Sequence, residues 1–370
     1  MPSQVRQYTL TLHMRKFARA RSVFAGIFAS DIAGPGASFN IGCPLLAMWC
    51  FMSKNEMSFI GLESPGRVAH PSPISIRSGV PHSSSLKVCI RELLKLKARS
   101  IFYRSQTRIW LKILNSHPCF LEYVRASPSF VHKIYRPYLT RAMSINERLK
   151  AFISHYDFIF EHGLGEITLQ ASKSGVVLAT IKGKTGKPYD VYLRAAEPSF
   201  EREGELVLQL RHQEAILYSV VFAFLKRNDL EEVAIGCIQG PKPILGLEAV
   251  RSATRELYGL RPKQLLVSTV RQLAAHFGCT TISLVSNANR VGQRPIRRGH
   301  VLSNYDEFWL EIGAQQHSDG DFRLACSPLS APDFSRIESK KRSAVRHRHE
   351  VLVHVAGQVC DQFKSLARVI

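Results

Sequence analysis

Apolar residues recur at three- and four-residue intervals along residues 85–114, at Leu86, Ile90, Leu93 and Ile101, then at Trp110, Ile113 and Leu114, with Lys and Arg between them. That period predicts a basic amphipathic helical stretch. Residues 145–163 repeat the helical period. Ser144 stands where an N-cap belongs, Glu147 occupies the third helical position of a capping box, and Gly163 supplies a stop. Beyond Gly163 the period falls to two. Strands are expected over 166–172, 176–183, 189–195, 205–211, 215–225 and 232–239, and the short turns between them require antiparallel neighbours.

The period then returns to the helical one over 247–259 and 261–278. Leu266, Val270, Leu273 and Phe277 form one stripe of the second helix, Pro262 sits in its first turn and Gly278 ends it. A buried strand at 280–286 follows, and a strand, crossover and strand of this length predict parallel pairing with 232–239. A short helix at 304–314, a strand at 321–327 and a long helix at 333–363 complete the chain. The expected fold is α+β, or mixed α/β: a helical N-terminal part, then a mostly antiparallel mixed sheet with flanking helices. Residues 1–84 lack either period and are rich in Gly, Pro and Ser, so they read as a poorly structured leader. Residues 85–163 read as a basic helical region, and 164–370 as the mixed α/β domain with its long C-terminal helix.

Charge sharpens this division. The chain of 370 residues has a formal net charge of +21. Its first 150 residues hold 22 Lys and Arg against 6 Asp and Glu, whereas the remaining 220 hold 28 against 23. The basic front attracts an anionic membrane surface, nucleic acid or an acidic protein. For the 85–114 stretch, ordinary packing, membrane contact and nucleic-acid contact all remain open. Eight cysteines without a CxxC pair read as reduced thiols. The apolar runs 22–30 and 43–52 are too short to span a bilayer, so a cytoplasmic or membrane-peripheral protein is expected. Arg15, Lys16, Arg19 and Arg21 ahead of the first run leave an export signal as the minor alternative.

The blocks YRPYL (135–139), ISHYDF (153–158), EGELVLQL (203–210), IGCIQG (235–240), ATRELYGLRPKQLL (253–266), SNANRV (286–291), NYDEFW (304–309) and ESKKRSAVRHRHE (338–350) occur in this order. Together they resemble the bacterial VirK/YbjX family over roughly residues 85–365. The resemblance implies a role in envelope homeostasis, virulence and resistance to cationic antimicrobial peptides. It brings no catalytic residue with it. The element order from 205 to 327 bears a weaker, fold-level resemblance to the acyl-CoA-dependent N-acetyltransferases (GNAT). In that fold a central strand and its parallel partner splay apart above a helix whose N-terminus binds pyrophosphate. Here 234–239 and 280–286 would be the two strands, although the usual Q/R-x-x-G-x-G/A loop is replaced by GPKPILG.

For an acyl-CoA phosphate the candidates are Gly259, Arg261 and Lys263, with Asn287 beside the second strand. A plain helix connection, with Gly259 as C-cap and Pro262 as first-turn residue, competes with that reading. Gly240 and Lys242 are weaker, because Pro241 removes an amide. Asn287 and Asn289 equally suit local turns, and Asp306 suits a helix cap. Glu203 and Glu205 fit a solvated sheet face with Arg211, while His155, His162 and His212 fit packing. No HExxH, GxSxG or Walker loop occurs. Three functions stay in view: an envelope protein of this family, an N-acyltransferase using acyl-CoA or an acyl carrier, and a nucleic-acid-binding protein.

Overall fold

A computed structural model describes residues 72–80, 85–197, 199–227, 229–241, 243–292 and 304–367. Five helices open it: α1 (Leu86–Phe102), α2 (Arg104–Leu114), α3 (Pro118–Ala126), α4 (Ile145–Glu161) and α5 (Gly165–Lys173). The capping box of α4 forms as expected. The Ser144 hydroxyl accepts from the Glu147 amide, and the Glu147 carboxylate accepts from the Ser144 amide at 2.6 Å.

The strand expected at 166–172 is instead the helix α5. Gly165, Ile167, Thr168 and Ala171 are its buried positions, a helical spacing, and Glu166, Gln170, Ala171 and Lys173 are ordinary helix formers. Gly163, at φ 65°, turns the chain between α4 and α5 without requiring a change to strand.

The strands build one eight-stranded sheet whose order follows the chain, except that the last two strands exchange places at its edge. β1 (Val176–Lys182), β2 (Pro188–Ala195), β3 (Leu206–His212), β4 (Ala215–Arg227) and β5 (Leu230–Gln239) form an antiparallel meander. The chain then crosses over through α6 (Pro243–Glu256) and α7 (Pro262–His276) to β6 (Thr281–Leu284), which pairs parallel with β5 as expected. After α8 (Tyr305–Glu311), the short β7 (Gln315–Gln316) and β8 (Phe322–Ala325) close that side, with β8 antiparallel to β6. The long α9 (Ser339–Ala367) ends the described chain.

Alternation along the strands separates two cores. Phe222, Phe224, Leu208, Leu210 and Ile235 face α5, α7 and α9, where Leu266, Val270, Leu273, Val359 and Phe363 meet them. Ala223, Leu225 and Ala234 face the other way and join the apolar cluster of α2, α3 and α4 around Trp110, Phe120, Ile134 and Phe152. The small alanines let the helices approach the sheet. The basic front therefore covers one face of the sheet, with part of its core taken from β4 and β5. Residues 72–80, placed in the leader by composition, also pack here: Ile74 is buried, and the Gly79 carbonyl lies 2.8 Å from His132 Nε2.

Candidate functional site

β5 and β6 stay together for only four residue pairs, from Glu232 with Thr281 to Ile235 with Leu284. The Val285 amide adds one more bond to the Ile235 carbonyl at 3.1 Å, after which the strands part. At the same level β5 bulges. Cys237 pairs with Val221 and Ile235 with Phe222, so Gly236 is the extra residue. A glycine is required there because the Glu203 carbonyl occupies the place a Cβ would take.

Past the bulge, the gap beside β5 is filled by a side chain. The Tyr305 hydroxyl accepts from the Ile238 amide at 2.8 Å and donates to the Ile238 carbonyl at 2.6 Å, in the position of the missing strand. It also lies 3.4 Å from Cys237 Sγ. The Cys237 thiol in turn stands next to the Glu203 carboxylate. Burial raises the Glu203 pKa to about 7 against the opposing pull of Arg202, the Cys237 thiol and Arg290, and burial also pushes the thiol up. The Arg290 guanidinium rests 3.5 Å over the Tyr305 ring.

Asn287 fixes this tyrosine. Its Oδ1 accepts from the Tyr305 amide at 3.0 Å, its own amide donates to Asp306 at 2.8 Å, and its Nδ2 donates to Asn304 at 2.6 Å. Trp309 Nε1 donates to the Val285 carbonyl at 2.8 Å. Asn287 thus clamps the end of β6 to the start of α8, and Asp306 serves the clamp. Asn289 binds Asp321 at 3.0 Å within the neighbouring turn.

Beside the gap lies a cavity of about 250 Å³, lined by Ile238 and Tyr218 from the sheet, Arg261 and Lys263 from the start of α7, and Asn304, Glu307, Phe308 and Glu311 from α8. Arg261 is the N-cap residue of α7 and Pro262 its first turn. The Arg261 guanidinium pairs with Glu311, and the Lys263 ammonium stands 4.2 Å from the Phe308 ring centre. Burial lowers the Lys263 pKa, and the Arg261 charge lowers it further. Two cations thus converge at a helix N-terminus, balanced by Glu307 and Glu311 on the opposite wall.

Of the four residues expected around a phosphate, Arg261 and Lys263 meet in the cavity. Asn287 stands behind it, holding α8. Gly259, at φ 85°, donates its amide to the Thr254 carbonyl at 2.7 Å and ends the turn after α6, away from the cavity. Gly240 packs on the Tyr218 ring, and Lys242 lies outside the described residues.

The solvated face expected for Glu203 and Glu205 is not found. Glu203 sits in the turn before β3, and Glu205 is buried with Lys133 at 2.6 Å while accepting from Tyr156 at 2.7 Å. Arg211 bonds Gln209 instead. His155 is packed as expected: its Nδ1 accepts from the Phe224 amide at 3.2 Å, and burial lowers its pKa to about 4. The strand-end cluster of Glu203, Cys237 and Tyr305 escaped sequence reasoning. Only the glycine inside an apolar strand, Gly236, signalled a bulge where other groups come close.

Residues 88–361 match the family described as a protein of unknown function, DUF535. The chain belongs to this family. A relative in Escherichia coli K12, the uncharacterized protein YbjX, is 26% identical over 277 residues, covering 73% of this chain and 83% of that protein. An uncharacterized protein of Haemophilus influenzae is 35% identical over 156 residues, 42% of this chain and 51% of its own length. A protein of Mannheimia haemolytica named membrane protein LapB is 24% identical over 188 residues, 50% of this chain and 78% of that one. Among solved structures, a cAMP-binding acyltransferase from Mycobacterium smegmatis superposes with a TM-score of 0.23 at 11% identity, covering 62% of this chain and 64% of that one. A superposition this loose says nothing about activity. Among the described residues no helix is long and apolar enough to cross a membrane.

Proposed function

We propose that this protein is an acyltransferase that moves an acyl group from the thioester of a phosphopantetheine donor, an acyl-CoA or acyl carrier, to an amine of an envelope component: an amide C–N bond replaces the C–S bond, and the proton lost by the amine leaves with the donor's free thiol. The observation that carries the reading is the parting of β5 from β6 directly beside the cavity that holds Arg261 and Lys263. A pantetheine arm is a chain of amides and pairs naturally with a strand that has lost its neighbour, while its phosphates suit two cations at a helix N-terminus. In this arrangement the Ile238 backbone groups held by the Tyr305 hydroxyl face the donor's arm, and Tyr305 shifts when the donor binds.

The test is a melting experiment with acetyl-CoA and longer acyl-CoAs, repeated with an acyl-loaded carrier protein. A donor at about a hundred times its dissociation constant adds close to 2.7 kcal/mol of stability, which raises the melting temperature by several degrees. Arg261→Ala together with Lys263→Ala is expected to erase that rise. A wild-type melting temperature indifferent to every donor would refute the reading.

The envelope setting is supported by the family resemblance, which implies a part in virulence and cationic-peptide resistance, and by the relative named as a membrane protein. Deleting the gene in its host is expected to raise sensitivity to cationic peptides and to detergents. Unchanged sensitivity to both would remove the envelope setting and leave the enzymatic reading standing.

A further inference from the structure

α1 is held to the rest of the molecule by little. Leu96 is its one fully buried residue, and the neighbouring Val88, Cys89 and Leu93 are half-buried. The outer side is apolar where a surface helix should be polar. Leu86 is 75% exposed, Ile90 49%, Leu94 61% and Ile101 75%. At about 100° per residue these four fall within an arc of roughly 80° on one face. Phe102, 85% exposed, and Tyr103 extend the apolar surface at the helix end.

Cations border this stripe. Lys87, Arg91 and Lys95, spaced by four, run along one margin, and Lys97 lies within the arc; all four are exposed. Glu92 is the one carboxylate of the helix, between Arg91 and Lys95. Directly after Tyr103, α2 buries Ile109, Trp110 and Ile113 and exposes Arg104, Arg108 and Lys112, again spaced by four. α1 and α2 together expose seven cations around an aliphatic stripe.

We infer that the outer face of α1 is a docking surface for an anionic lipid bilayer. The stripe enters the acyl boundary, and Lys87, Arg91, Lys95 and the α2 cations meet lipid phosphates. Lys97 reaches the headgroups by extending its stem. Three other occupants fit worse. A second copy packed across the stripe brings two identical basic margins together. Nucleic acid gains from the cations and from the Phe102 ring at the helix end, but it leaves the longer aliphatic stripe of Leu86, Ile90, Leu94 and Ile101 without an apolar partner. Residues 1–71 of this chain hold seven Lys and Arg against three Asp and Glu, so they do not complement a basic surface. The inference is independent of the acyl-transfer reading.

Flotation of the full chain with phosphatidylcholine vesicles, with and without about one third phosphatidylglycerol, tests it. The wild type is expected to bind the anionic vesicles at least about tenfold more tightly than the neutral ones, with affinity falling as salt rises. Ile90→Glu/Leu94→Glu/Ile101→Glu is expected to lose at least about tenfold in binding at every salt concentration while melting as the wild type does. Lys87→Gln/Arg91→Gln/Lys95→Gln is expected to flatten the salt dependence. The inference is overturned if the apolar variant still floats like the wild type, if the wild type ignores phosphatidylglycerol, or if it binds DNA but no vesicle. It is also overturned if the wild type is a dimer that the apolar variant dissociates.

Discussion

The hydroxyl of Tyr305 both accepts from and donates to the backbone of Ile238, so a phenol from α8 takes the place of a strand on the open side of β5. Removing that oxygen leaves an amide and a carbonyl buried without partners. Tyr305→Phe is therefore expected to cost about 2–4 kcal/mol in urea denaturation, more than the loss of one ordinary hydrogen bond. A cost below about 1 kcal/mol would mean that water already reaches the gap.

Gly236 and Gly259 are expected to answer differently to alanine. At Gly236 the added methyl meets the Glu203 carbonyl, a backbone atom that cannot swing aside, so Gly236→Ala must displace the turn before β3. A loss of roughly 3 kcal/mol or more is expected, together with a fall in the Glu203 pKa as its burial is relieved. Gly259→Ala meets no atom and pays only for φ 85°, about 1 kcal/mol. Thermal melts and a carboxylate titration by NMR check both.

Lys133 and Glu205 form a pair in which each side chain is 5% exposed. Lys133→Met alone strands a carboxylate in the core and is expected to cost about 3–5 kcal/mol. Adding Glu205→Gln removes the charge and still leaves an acceptor for the Tyr156 hydroxyl, so the double variant recovers most of that loss. A double-mutant cycle in denaturant measures the recovery.

Asp157 sets part of the pH dependence. Burial, with Glu161 one helical turn away, raises its pKa to about 7, while Lys226 opposes the shift. The folded state therefore holds this proton more tightly than the unfolded chain does. The linked stability is full below about pH 4 and is lost as pH rises through about 7. Asp157→Asn is expected to match the wild type near pH 4 and to exceed it by roughly 1–3 kcal/mol near pH 8, read from denaturant midpoints.

What the sequence revealed follows from how local each cause is. The α4 capping box and the stripe and first-turn proline of α7 depend on residues within a few turns of one another, and the parallel return of β6 follows from the length of the helical crossover alone. Each was legible. α5 was misread because Ile167, Leu169 and Ala171 also satisfy a strand period over so short a stretch. Arg261 and Lys263 could be marked from Pro262 and the expected crossover. The partners that complete their cavity, Phe308, Glu307 and Glu311, come from a helix some forty residues on, and nothing near them in sequence announces this. The same holds for Tyr305, whose hydroxyl meets a backbone 67 positions away, and for Glu205, whose partner Lys133 is 72 away.

The sheet order also bears on biosynthesis. A nascent chain extended as far as Gln239 already contains every strand of the β1–β5 meander, each beside its sequence neighbour. β5 must then wait about forty residues for β6, and longer for Tyr305. During that interval a ten-residue strand, apolar through most of its length, is an uncovered edge. The hazard of aggregation on the ribosome is concentrated there, and a chaperone that recognises extended apolar segments has its best target between Leu230 and Gln239.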